Sequence, residues 1–176
     1  MRGGMAVVCA ALAGVMGCGQ DGPQSGLPGS RQVFNDQGTI YALGETEPYN
    51  GPVIDYHPNG KKSYEYTVKN GKPEGKVTEW HANGNPKTES MLKDGVLVGT
   101  MTGWYENGKK EYEMPLEAGE IHGQGKEYYP DGQVKSHTPY VKGEREGRET
   151  GFDESGVKLW EAEWKANRLD GEFVEF

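Results

Sequence analysis

The sequence predicts an all-β protein: an antiparallel meander of β-hairpins in an open single-layer sheet or solenoid, built on a 24-residue repeat. Three observations carry this. Glycine returns every 24 residues, at Gly51, Gly75, Gly99, Gly123, Gly147 and Gly171. A second series runs Gly60, Gly84, Gly108, Gly132 and Gly156, each preceded by four positions by an aromatic residue. These rings are Tyr56, Trp80, Trp104, Tyr128 and Phe152, and Phe176 continues the column. Glycine or proline interrupts the chain too often for helices of ordinary length.

Each copy reads as a hairpin. In the first full copy Pro52–His57 is one strand and Lys61–Lys69 the next. Between them Pro58 suits the second position of a type I turn, and Gly60 the left-handed bulge position that follows. Asn70-Gly71 marks a second, type I′ turn. That glycine recurs at Gly95, Gly119 and Gly143 and becomes Asn167, the best non-glycine substitute in a left-handed backbone. Five full copies span 51–170, after a degenerate copy over 33–50 and before a stub, 171–176.

Counting from the Pro58 turn sets Tyr56 opposite Lys62 and Ile54 opposite Tyr64. One face then carries the column Tyr56, Trp80, Trp104, Tyr128 and Phe152 together with Tyr64, Tyr66, Val68, Leu92, Tyr112, Leu116, Tyr140, Trp160 and Trp164. The other face is wet, with Glu65, Glu89, Glu113, Glu161 and the pairs Glu79–Lys87 and Glu127–Lys135. Counting from the Asn70-Gly71 turn disagrees by one residue. The mismatch predicts a one-residue β-bulge at the first glycine of each copy.

Composition bounds the function. The chain has 176 residues and a formal charge of −8, with its cations dispersed, which argues against nucleic acid. Hydrophobic content is 34%, against 28 glycines, so burial must rest on the 4 Trp, 10 Tyr and 4 Phe. The rings have two roles open to them. They build a thin core, and they offer a platform to a partner.

The first 17 residues read as an export signal: positive Met1-Arg2, then an uncharged run too short to span a bilayer. Val15-Met16-Gly17-Cys18 resembles a bacterial lipobox. The resemblance implies cleavage before Cys18 and its acylation with palmitate-type chains, a membrane contact through the lipid only. An ordinary signal peptide cut near Gly17 is the alternative. Residues 18–32, rich in Gly, Pro, Ser and Gln, read as a flexible tether.

The repeat itself resembles the bacterial variant of the MORN repeat, of the YwqK-type family labelled antitoxin. The likeness rests on Tyr56-His57-Pro58-Asn59-Gly60 with Glu65, Val68, Asn70-Gly71 and Gly75, and on Trp104-Tyr105-Glu106-Asn107-Gly108 with Glu113, Leu116, Gly119 and Gly123. It covers about 33–176 and implies an interaction module for proteins or membrane lipids, or a protein that neutralises a toxin by direct binding. A cytoplasmic antitoxin has no use for an export signal.

No enzyme is expected, and no cofactor. The carboxylates recur as a solvated face does, whereas a catalytic pair is singular and buried. No serine has a nucleophile context. His57 and His81 share a repeat position but read as surface histidines, with no third ligand for zinc. The expected function is a non-enzymatic envelope lipoprotein that binds an unidentified protein. An antitoxin or immunity-like protein and a glycan- or lipid-binding wall module are the alternatives. The edge strand at 171–176 invites self-association or partner docking.

Overall fold

The computed structural model describes residues 32–34 and 38–176. The signal segment, Cys18 and the tether up to position 31 lie outside the described residues. The fold is all-β. A short pair, β1 (Gln32–Phe34) and β2 (Ile40–Ala42), precedes the main sheet. Five hairpins follow: β3 (Gly51–Tyr56) with β4 (Lys62–Lys69), β5 (Lys72–Trp80) with β6 (Pro86–Lys93), and β7 (Val96–Trp104) with β8 (Lys110–Glu117). Then come β9 (Glu120–Ile121) and β10 (Gly123–Tyr128) with β11 (Val134–Val141), and β12 (Glu144–Arg145) and β13 (Gly147–Phe152) with β14 (Lys158–Lys165). β15 (Arg168–Glu175) closes the series. Every pairing is antiparallel, and the sheet follows chain order from β3 at one edge to β15 at the other, with the short β9 and β12 set off the path on β8 and β11. This is an open meander of about 24 residues per repeat.

The two turns of each copy have different chemistry. At the first, the Gly60 amide donates to the His57 carbonyl at 2.9 Å, and Gly60 takes φ +81°, where a Cβ would strain the backbone. At the second, the leading residue is left-handed in every copy: Asn70, Asp94, Ala118, Lys142 and Ala166, with φ from 47° to 52°. Asn and Asp tolerate that region, whereas Ala and Lys cost roughly 1–2 kcal/mol there. Lys142→Asn is therefore expected to stabilise the chain by roughly 0.5–1 kcal/mol. A urea midpoint no higher than the parent's would contradict this.

The registers correct the expected faces. Tyr56 does pair with Lys62, but Asp55 pairs with Tyr64 and Ile54 with Glu65, so Ser63 stands unopposed. Lys87, Glu111, Lys135 and Leu159 are skipped in the same way in the later copies. This single-residue slip beside the turn sends the column Tyr56, Trp80, Trp104, Tyr128 and Phe152 to the face opposite Tyr64, Tyr66 and Val68. The first glycine is also irregular, but by two residues rather than one. Glu65 pairs with Thr78 and Thr67 with Glu74, so Gly75, Lys76 and Val77 together oppose Tyr66. Gly75 takes φ +83° in that bulge. A shift of two leaves the faces unchanged, so the slip at Ser63 alone moves the rings.

The core lies on one face. It joins Val53, Val77 and Met101, two residues after the first glycines, to Tyr66, Val68, Leu92, Leu97, Met114 and Leu116. Tyr64, Tyr112 and Tyr140 pack against it. Burial, then the Glu79 and Asp55 carboxylates, push the Tyr64 hydroxyl up to about 12. Glycine gives the rings a floor. Gly103 lies under the Tyr112 ring and Gly151 under the Trp160 indole, where an added Cβ would sit 2.3 Å and 2.2 Å from ring atoms. The segment before β3 caps the end. Ile40 is fully buried, its amide donates to the Gly71 carbonyl at 2.8 Å, and the Gly71 amide donates to the Tyr49 carbonyl at 2.9 Å. An atypical end unit that seals the first hairpin is what a stacked repeat array requires.

Towards the C-terminal edge the core thins. The position held by Val53, Val77 and Met101 becomes Gly125 and then Glu149. Thr138 donates to Glu149 at 2.8 Å, and Arg145 lies 3.4 Å from the centroid of the Trp164 ring. Polar and stacked contacts there replace aliphatic ones.

Candidate functional site

Three features of the sheet bear on binding: the stitched columns at its two turn edges, the ring column on the face away from the core, and the edge strand β15.

The turn columns hold the copies in line. Asn59, Asn83 and Asn107 donate their side-chain amides to the carbonyls of Ala82, Glu106 and Pro130, at 2.7, 3.0 and 2.9 Å. Just before each turn, His57 and His81 donate Nε2–H to the carbonyls of Trp80 and Trp104, both at 2.8 Å. Tyr105 and Tyr129 do the same with their hydroxyls, to Tyr128 at 2.6 Å and Phe152 at 2.8 Å. The two histidines are thus not idle surface groups. A ring donor recurs at that position, and four copies use it to grip the next. At the other turn edge the amides of Gly95, Gly119 and Gly143 donate to the carbonyls of Pro73, Leu97 and Ile121. Among the described residues no group of three or more His, Cys, Asp or Glu side chains is placed to hold a metal ion.

The ring column stands on the other face from the core, among ion pairs. Lys62 bonds Glu65 at 2.8 Å and holds its ammonium 5.7 Å from the Trp80 ring centroid. The Tyr128 hydroxyl donates to Glu113 at 2.6 Å, and His137 meets Phe152 edge-on at 5.5 Å. The rings of Tyr56 and Trp104 have no aromatic or cationic partner among the described residues, and Tyr56 is 51% exposed. Beside Trp80 an open groove of about 450 Å³ is lined by Lys61, Lys62, Asn83, Gly84 and Asn85. Trp160 and Trp164, expected with this column, lie on the core face instead.

Hydrogen bonds from Lys110 and Tyr128 hold the Glu113 carboxyl below its ordinary 4.5. A depressed carboxyl stabilises the fold above its unfolded value, and that contribution is lost as pH falls through the folded one. Tyr128→Phe is therefore expected to cost roughly 1 kcal/mol at pH 7. The gap should close below 4.5, as Glu113 takes up its proton. A pH-independent difference in urea stability would contradict this.

The edge strand is the third feature. All eight residues of β15 are exposed, and among the described residues it pairs only with β14. Leu169 and Phe173 are each 52% exposed and Phe176 is 68% exposed. Phe173 stacks on Trp160 at 5.9 Å. The edge expected over 171–176 thus begins earlier, at Arg168. The Phe176 amide donates to the Leu159 carbonyl, so by alternation the Glu175 amide points outward from the sheet.

Comparison with protein families decides what this repeat is. Four segments, 49–70, 73–94, 97–117 and 121–142, match the family model of the MORN repeat variant. The chain carries MORN-variant repeats. Each matched segment spans one hairpin and ends at or beside the left-handed turn residue. The match stops before the last full copy, where Arg145, Glu149 and Trp164 stand at the positions that Leu97, Met101 and Leu116 hold earlier. A search of curated proteins gives no match.

Proposed function

We propose that this chain is a non-catalytic binding scaffold, held at a bacterial cell envelope through acyl chains on Cys18, that engages a protein partner along β15. MORN repeats commonly mediate protein or membrane binding. The observation that carries the partner is the edge itself: a strand whose outward-pointing backbone groups pair with no other strand among the described residues, with Leu169, Phe173 and Val174 exposed along it. Such an edge binds by strand addition, in which main-chain hydrogen bonds give affinity and alternate side chains give selectivity. Leu169, Phe173 and Val174 give a docking partner apolar contacts between the charged Arg168, Asp170, Glu172 and Glu175. A toxin neutralised by direct binding is one form of such a partner.

The anchor rests on the Val15-Met16-Gly17-Cys18 sequence. Expressing the parent and Cys18→Ala chains in a bacterial host and fractionating the cells tests it. Acylated parent in the membrane fraction and unacylated Cys18→Ala outside it are expected. Parent and variant together in the cytoplasm, neither acylated, would overturn the envelope assignment.

A further inference from the structure

We propose a second binding surface, independent of β15: the rings of Tyr56, Trp80 and Trp104 form a platform for an extended β-1,4-linked polysaccharide. These rings do not belong to the core cluster, and the slip beside each turn keeps them on the opposite face. They stand on β3, β5 and β7, two strands apart in an unbroken sheet, hence roughly 9.5 Å from one ring to the next. In a β-1,4-linked chain neighbouring sugars are flipped, so the same sugar face returns every second residue. That disaccharide advance is of the same size as the two-strand spacing, so alternate sugars meet successive rings. The surroundings suit a sugar better than an apolar chain. The groove beside Trp80 is lined by the amides of Asn83 and Asn85, each donating one N–H to the Glu106 carbonyl, and by the ammonium groups of Lys61 and Lys62, bonded to Asn83 and Glu65; their remaining N–H groups can meet hydroxyls and acetamido groups at the rim of a stacked ring.

The platform is short, for two reasons. Strands rotate by roughly 20–25° from one to the next, so a straight ligand leaves the column after about three rings. Beyond Trp104 the rings are held by short contacts, the Tyr128 hydroxyl by Glu113 and Phe152 edge-on by His137, whereas Trp80 meets only the exposed Lys62 ammonium, at 5.7 Å.

The test is titration of the full chain in detergent with chitobiose, chitotetraose and chitohexaose, read by tryptophan fluorescence and calorimetry. Affinity is expected to rise with length, as second and third rings are engaged within one ligand, and to level off at about six sugars. Trp80→Ala and Trp104→Ala should each weaken chitohexaose about fivefold or more. Trp104→Phe should recover part of that loss, and urea midpoints separate lost binding from lost folding. Trp160→Phe, on the core face, should leave chitohexaose affinity within about twofold. No binding of chitohexaose by the folded parent would overturn the proposal. So would affinity independent of length, or a loss from Trp160→Phe equal to that from Trp104→Ala. A face that ignores these oligosaccharides but retains liposomes of anionic lipid would be a membrane surface instead, which also overturns it. Glu175→Pro should leave chitohexaose binding intact, so failure here and failure of the β15 reading are distinguishable.

Discussion

Val68→Asp is expected to unfold the first hairpins, at a cost of more than about 3 kcal/mol, because the new carboxylate is buried without a partner. Val68 is only 1% exposed and belongs to the cluster that includes Ile40, Val53 and Tyr66. Ile40, from the β1–β2 pair, packs over this end of the sheet and closes the space in which a charge could turn to water. The same repeat position in the last full copy is Trp164, half-buried beneath the Arg145 guanidinium. Trp164→Asp meets a positive charge and more solvent, so its loss should be clearly smaller. In an array whose stability is a sum of neighbouring units, the two substitutions should also act locally. Hydrogen exchange should show Val68→Asp releasing β3 to β5 first and Trp164→Asp releasing β14 and β15. Equal losses, or one global transition in both variants, would contradict a core that thins along the sheet.

Gly103→Val is expected to cost about 1–3 kcal/mol through overpacking. The position is extended, without a left-handed φ, so valine suits the backbone but not the space: a Cβ would sit 2.3 Å from the Tyr112 ring. Five residues on, Gly108 is the reverse case. Nothing stands within 4 Å of its Cβ position, but φ is +81°. Gly108→Ala should cost about 1–2 kcal/mol from the backbone alone. The double variant Gly103→Val, Tyr112→Ala separates the mechanisms. Its loss should fall well short of the sum of the single losses, because the valine then takes the space the ring has left. Strict additivity in urea unfolding would contradict a ring seated on glycine.

Much of this architecture is legible in the sequence. Turn glycines fix where strands end, so β3 and β4 come within one residue of Pro52–His57 and Lys61–Lys69. The faces are not legible in the same way. The residue skipped beside each turn is Ser63, Lys87, Glu111, Lys135 or Leu159, four kinds of side chain in five copies, because a bulge there asks only for backbone room. A column that could have revealed the core face is aliphatic rather than aromatic: Val53, Val77 and Met101, at a fixed distance from the first glycine. Gly103 and Gly151, off the glycine series, mark where Tyr112 and Trp160 lie flat. The ring donors His57, His81, Tyr105 and Tyr129 were likewise visible as a recurrence. Their task was not, since the carbonyls they grip belong to the next copy.

β15 is the docking strand proposed for this sheet. Its most direct test is a photo-crosslinking residue placed in the full chain in its native cells, at Phe173 or Val174 in β15 and at Thr102 in the middle of the sheet. Adducts to one defined protein are expected from the β15 positions and not from Thr102. Glu175→Pro, which removes an outward amide that the β14 pairing does not use, should reduce them about tenfold while the far-ultraviolet spectrum is unchanged. Adducts from no position, the same protein captured equally at Thr102, or capture that survives Glu175→Pro would contradict it.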